Sequence, residues 1–126
     1  TTGQSGATLL LLLERRLDNV IYRAGFAVSR RAARQLVSHG HFMLNGRRVD
    51  IPSIRVSQGD KIELRAKSKQ NEYFKHLDDI TSVNDRTAAW LKVNPKNVTV
   101  EIVGMPTRDD AEADINEQLI VEYYSR

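Results

Sequence analysis

Residues 29 to 49, SRRAARQLVSHGHFMLNGRRV, constrain the chain most, because start, stop and reversal signals fall there at spacings that admit one local fold. Ser29 is a helix N-cap, its hydroxyl suited to accept from a free backbone N–H of the first turn. Ala33, Leu36 and Val37 follow at i, i+3 and i+4, the apolar stripe of a short helix. Gly40 closes that helix, since glycine takes the left-handed conformation without a Cβ clash. Phe42 and Leu44 then alternate with His41 and Met43 as on a half-buried strand. Asn45-Gly46 is a strong hairpin signal, and Arg47-Arg48-Val49 begins the return strand. In that hairpin Asn45 and Gly46 serve the turn rather than a ligand.

The predicted helix, strand and hairpin gather Arg30, Arg31, Arg34, Arg47 and Arg48 with His39 and His41. Arginines on a helix are ordinarily just a solvated face. Two features weigh against that reading here. No carboxylate occurs between Asp18 and Asp50, so no acid within the segment neutralises the cluster. The basic residues also come from both the helix and the hairpin beside it, which favours a continuous patch for nucleic-acid phosphates. Arg30, Arg31, Arg34, Arg47 and Arg48 are the primary candidates. Arg15, Arg16, Arg23, His39, His41 and Arg55 are secondary ones.

With 126 residues and 40% hydrophobic content, the chain suits one core rather than two domains. The absence of cysteine excludes a disulfide framework and cysteine-ligated zinc, and fits a reducing compartment. Leu9–Leu13 is far too short to span a membrane, and its basic residues follow it, the reverse of a secretory signal. Thr1 in place of Met reads as a fragment or processed form. The net charge of +3 hides an asymmetry: residues 1–66 hold 11 Lys and Arg against 5 Asp and Glu, residues 67–126 hold 8 against 11. One half is matched to a polyanion and the other is not.

In chain order, residues 1–6 are polar and expected to fray. Ala7 to Ala24 has helical spacing with Gly25 as its stop, and Leu11 and Leu12 make its start apolar nearly all round. Arg15, Arg16 and Arg23 are assigned to its polar side, with Asp18 pairing with Arg15 at i−3 or with solvent. Ile54–Val56 and Lys61–Arg65 alternate as strands around a Gln58-Gly59-Asp60 turn. Phe42, Leu44, Val49, Ile51, Ile54, Val56, Ile62 and Leu64 are expected to cover one sheet face. Lys67 to Ile80 is predicted as an amphipathic helix on Tyr73, Phe74, Leu77 and Ile80. Trp90–Val93 and Val98–Val103 are predicted strands joined by the turn-rich Asn94-Pro95-Lys96-Asn97. Gly104–Asp110 reads as a loop, and Ile115 to Tyr124 as a helix despite its β-branched and aromatic content. The fold class expected is α+β: two N-terminal helices on a small antiparallel or mixed sheet, a further amphipathic helix and a C-terminal segment.

Ser29-Arg30, Ala33-Arg34, Leu36-Val37, Gly40, Asn45-Gly46 and Val49 together resemble the RNA-binding module named after protein four of the small ribosomal subunit. The flanks LERRLDNVIY (13–22), ARQLVSHGHF (33–42), NGRRVDIPS (45–53) and DINEQLIVEYYSR (114–126) are similar to the bacterial-type ribosomal protein four family itself. That resemblance implies a structural protein that binds small-subunit ribosomal RNA, takes part in assembly and supports decoding accuracy beside ribosomal protein five. It implies no enzyme activity, cofactor, small-molecule substrate or membrane, and a cytoplasmic ribosomal location that does not separate a bacterial from an organellar ribosome. It also implies that an N-terminal helical portion is missing here. The expected organisation is then a single domain at 7–110 with its module core at 14–65, and a segment at 111–126 that packs on the missing part.

Three other readings are weaker. Arg16-Leu17-Asp18 also surrounds the catalytic aspartate of many pseudouridine synthases, but three residues outside their structural context carry little. His39-Gly-His41 offers two nitrogens where zinc takes three or four protein ligands, and the acids at 109, 110, 112 and 114 lack the glycine of a calcium loop. A purely protein-binding adaptor would use the acidic half and leave RNA association indifferent to Arg30, Arg31 and Arg34.

Overall fold

Short alternating runs and two glycine-stopped helices assemble around one sheet in the computed structural model, which describes residues 9, 11–77 and 88–107. The elements are α1 (Leu17–Arg23), α2 (Arg30–Ser38), β1 (Phe42–Leu44), β2 (Arg47–Val49), β3 (Lys61–Leu64), a 3-10 helix (Ala66–Gln70), α3 (Glu72–Lys75), β4 (Leu91–Asn94) and β5 (Thr99–Ile102). Among the described residues the strands form one five-stranded sheet in the order β2-β1-β3-β5-β4. Each neighbouring pair is antiparallel. The protein is therefore α+β, as its sequence leads one to expect.

Both main helices end as their glycines dictate. At α1, Gly25 has φ 87, its N–H donates to Tyr22 O at 3.0 Å, and Phe26 N–H donates to Ile21 O at 3.1 Å. This pair of bonds satisfies carbonyls that the helix end leaves open and turns the chain toward α2. At α2, the Ser29 hydroxyl accepts from Ala32 N–H at 3.0 Å, and Gly40 (φ 77) donates to Val37 O at 2.9 Å. Ala33 and Val37 of α2 and Leu17, Val20 and Ile21 of α1 are fully buried. They join Phe42, Ile62, Leu64, Val100 and Ile102 of the sheet in one core. Each large apolar side chain so buried contributes about 1.5–3 kcal/mol.

The helix predicted from Ala7 to Ala24 is interrupted. Residues 11–14 are helical, but Arg16 is extended (φ −66, ψ 143) and bridges antiparallel to Arg55. Leu17 N–H donates to Ile54 O at 2.7 Å and Val56 N–H to Arg15 O at 2.9 Å. Residues 54–56 thereby spend their pairing capacity on this bridge, and the strand predicted for them is not formed. Ile51, expected on the sheet face, is 56% exposed, because the chain leaves β2 at Val49 and turns outward.

The helix predicted over Lys67 to Ile80 divides at Asn71. The 3-10 helix ends there, and the Asn71 side chain accepts from Tyr73 N–H at 2.9 Å to start α3. An asparagine favours capping over helix continuation, so it separates two short turns. Phe74 and Leu77 are buried as the stripe requires, while Ile80 lies outside the described residues. Strands β4 and β5 match their prediction to within a residue, with Asn94 Oδ1 accepting from Asn97 N–H in the turn at 3.2 Å. The fraying expected at residues 1–6, the acids at 109–114 and the helix predicted at Ile115–Tyr124 also fall outside the described residues.

Candidate nucleic-acid interface

The hairpin is fixed to the sheet by its own turn. Asn45 (φ 52) and Gly46 (φ 83) take the left-handed conformations of a two-residue hairpin turn. Asn45 also donates from Nδ2 to Asp60 Oδ1 at 3.0 Å and accepts from Lys61 N–H at 2.9 Å through Oδ1. The turn thus holds β3 as well as closing β1 on β2. Arg47 and Arg48 are exposed on β2, opposite Leu44 and Met43 of β1. Strand alternation sends the two to opposite faces of β2, so they do not form one patch.

On α2, Arg31 is exposed and Arg34 half-buried, three residues apart on neighbouring turns. Arg30 is held more firmly. Its Nε donates to Asn19 Oδ1 at 2.9 Å, its guanidinium carbon stands 4.6 Å from the Tyr22 ring centroid, and Asn19 Nδ2 donates to Glu14 O at 2.7 Å. Arg31, Arg34, Arg47 and Arg48 make no ion pair among the described residues. These cations remain available to an outside anion.

The residues assigned to the polar side of the first helix are used otherwise. Arg23 is buried and forks onto the fully buried Glu14, with Nε–Oε2 at 2.7 Å and Nη2–Oε1 at 3.1 Å. It is not part of a basic surface, because the break at Arg15-Arg16 folds Glu14 back over α1. Arg15, half-buried, donates from Nε to Val56 O at 2.9 Å and from Nη2 to Ser57 Oγ at 3.2 Å. Asp18 is fully buried and pairs with Arg16 at 3.4 Å rather than with Arg15. Arg55 is exposed beside that bridge.

His39 and His41 open a second basic grouping at the end of α2, with ring centroids 6.3 Å apart. His39 is exposed. His41 is half-buried, edge-on to Phe74 at 5.3 Å, with Nδ1 2.9 Å from Ser68 Oγ. Its pKa is pushed below the usual histidine value of 6.5 by burial first, then by repulsion from His39 and Arg65. Arg65 donates from Nη1 to Gly40 O at 3.0 Å. Arg48 approaches Gly40 from another side, its Nη2 only 2.6 Å from where a Cβ would stand. The absence of a side chain at Gly40 lets two guanidiniums meet there.

These groups border an open cleft of about 420 Å³ lined by His39, His41, Arg65, Lys67, Ser68 and two neutral amides, Gln70 and Asn71. Arg65 and Lys67 were not among the residues expected from sequence. The signal was present in the basic run Arg65, Lys67, Lys69 directly after β3. Of the predicted site residues, Arg30, Arg31 and Arg34 lie on α2, His39, His41 and Arg48 gather around Gly40, Arg47 and Arg55 are exposed on β2 and at the Arg16 bridge, and Arg15, Arg16 and Arg23 belong to the framework. Among the described residues no group of three His, Asp or Glu side chains is placed to hold a metal ion, and no helix is long and apolar enough to cross a membrane.

The S4 domain family matches residues 15–62, the span from the Arg16 bridge into β3. Small ribosomal subunit protein uS4 of Roseiflexus sp. (strain RS-1) is 54% identical over 125 residues, which is 98% of this chain and 61% of the relative. The protein of the same name from Clostridioides difficile (strain 630) is 54% identical over 98% of this chain and 59% of its own length. That from Persephonella marina is 50% identical over 99% and 60%. The chain thus spans about three-fifths of the length of these relatives. With half or more of its residues shared along nearly its whole length, the chain is similar to the bacterial uS4 small ribosomal subunit proteins over the three-fifths of their length that it spans.

Proposed function

We propose that the chain binds folded small-subunit ribosomal RNA through the basic side chains of α2 and the β1–β2 hairpin, as a structural ribosomal protein without catalysis. The observation that carries this is the set of exposed or half-exposed arginines, Arg31, Arg34, Arg47 and Arg48, that no described acid neutralises. Guanidinium forks engage phosphate oxygens two at a time, and elements pinned at Ser29, Gly40 and Asn45 present them with little left to order on binding. Folded RNA is recognised mostly by shape and backbone, which suits such rigid, sequence-blind contacts. Burial of Asp18 within hydrogen bonds leaves it no access to a uridine, which argues against the pseudouridine synthase alternative.

A place in a cytoplasmic, bacterial-type ribosome, a role in early subunit assembly, contact with ribosomal protein five and support of decoding accuracy belong to the same proposal and rest on the family resemblance. So does the division into a module core at 14–65 and a terminal segment at 111–126. The test is binding of the chain to a naked small-subunit ribosomal RNA transcript across a salt series. Neutralising about five phosphates gives a slope of log K against log salt of roughly −4. Removing Arg30, Arg31 and Arg34 together should weaken binding and flatten that slope. Affinity indifferent to salt, or to the triple substitution, would refute the proposal.

A further inference from the structure

We propose that the cleft between the end of α2 and the 3-10 helix is a separate phosphate-binding site, seating one phosphate group on Arg65, Lys67, His39 and His41. The inference deepens the RNA-binding reading and rests on it for the source of the phosphate, the backbone of a bound RNA strand.

The cleft is a cradle of donors. No carboxylate is among the described residues that line it. Its donors come from two sides: His39 caps α2, while Arg65 follows β3 and caps the 3-10 helix that carries Lys67. The floor is tied down. Arg65 N–H donates to His41 O at 2.8 Å, and its guanidinium is held by Gly40 O. Ser68, itself buried, fixes the His41 ring through Nδ1, which turns Nε2 away from that bond. Arg48 lies over Gly40, whose carbonyl holds Arg65. Such a convergence of like charges is unfavourable until an anion arrives, and a phosphate with several acceptor oxygens is the anion that meets several donors at once.

His41 supplies the signature. Facing it are His39 from α2, Arg65 beyond β3, Lys67 and Ser68 from the 3-10 helix and the Phe74 ring from α3. The nearby acids are otherwise placed: Glu72 pairs with Lys75 and His76, and Glu63 lies back along β3 opposite Met43. With apolar surface and positive charge around it, the His41 pKa is held below its usual value in the free protein. A phosphate seated between the two histidines reverses that balance, so binding takes up a proton.

The test uses the whole chain with assigned histidine NMR signals and two probes: the small-subunit ribosomal RNA transcript, and inorganic phosphate against chloride at matched ionic strength. The variants are His39→Ala/Lys67→Ala, both exposed, and Arg31→Ala/Arg34→Ala on the α2 face. RNA should raise the His41 pKa, and RNA affinity should rise as pH falls. The cleft variant should lose about tenfold in RNA affinity and flatten the salt slope by about one. If the α2 variant weakens RNA binding while the cleft variant leaves affinity, slope and the His41 titration unchanged, the RNA reading stands and the cleft site falls. If the α2 variant has no effect but inorganic phosphate raises the His41 pKa in a Lys67-dependent way, the site holds with free phosphate as its source. No response of His41 to either probe overturns it.

Discussion

Substituting Glu14 by glutamine isolates the contact that joins the two halves of the interrupted first helix. Glu14 is fully buried and Arg23 nearly so, and both carboxylate oxygens receive guanidinium N–H groups at 2.7 and 3.1 Å. The amide would keep the shape and one acceptor but take away the carboxylate charge that both guanidinium N–H groups face in the interior. Removing one partner of such a pair costs about 3–5 kcal/mol, whereas replacing both by apolar residues of similar volume is often neutral. For a domain of this size that corresponds to a fall in Tm of roughly 10–20 °C. The assay is a double-mutant cycle by thermal and urea melts, with Glu14→Leu, Arg23→Met and Glu14→Leu/Arg23→Met, and Glu14→Gln measured beside it. Each single variant should lose several kcal/mol, and the double should recover most of it. A Glu14→Gln variant within about 1 kcal/mol of the parent, or a double whose loss equals the sum of the singles, would refute the burial argument.

Gly40→Ala should cost about 1–2 kcal/mol for the left-handed backbone alone and push the Arg48 guanidinium off its seat. Gly40→Asn recovers part of the stability in a urea melt but not the RNA affinity. Ser29→Ala should lose about 1 kcal/mol by the same measurement, because Ala32 N–H loses its acceptor. His41 gives the stability a pH dependence. Its folded pKa lies below 6.5, so the unfolded chain takes up the proton first on acidification. Its contribution is fully present above about 6.5 and is lost as pH falls through the folded value. Urea melts between about pH 7 and pH 5 should therefore show a decline that is shallower in His41→Asn.

What was legible in the sequence is what local backbone chemistry decides. Ser29, Gly25, Gly40 and Asn45-Gly46 act through their own dihedrals and nearest neighbours, so the ends of α1 and α2 and the turn of the hairpin could be read from the letters alone. The break at Arg15-Arg16 could not. No glycine or proline marks it, and its cause is a bridge to residues 54–56, some forty positions away. The same distance effect hid the true role of Arg23, whose counter-ion is brought to it only by that break. For the basic surface, residue type was legible but direction was not. Helical spacing put Arg31 and Arg34 on neighbouring turns of α2, while the alternation of β2 separated Arg47 from Arg48 and left the latter over Gly40. The division at Asn71 was visible as a capping residue inside an apolar stripe, and there the cap outweighed the periodicity.

Strand β2 is the outermost of the sheet on its side, three residues long, and two of the three are arginines. An exposed row of unpaired backbone groups invites a second copy to add its own strand, and length and apolar character make the invitation stronger. A short edge bearing two guanidiniums repels its own image instead. The side chains proposed to meet RNA therefore double as a guard against self-assembly, and neutralising them for a binding assay removes that guard. Variants at Arg47 and Arg48 call for a check of aggregation before any loss of affinity is ascribed to a missing phosphate contact.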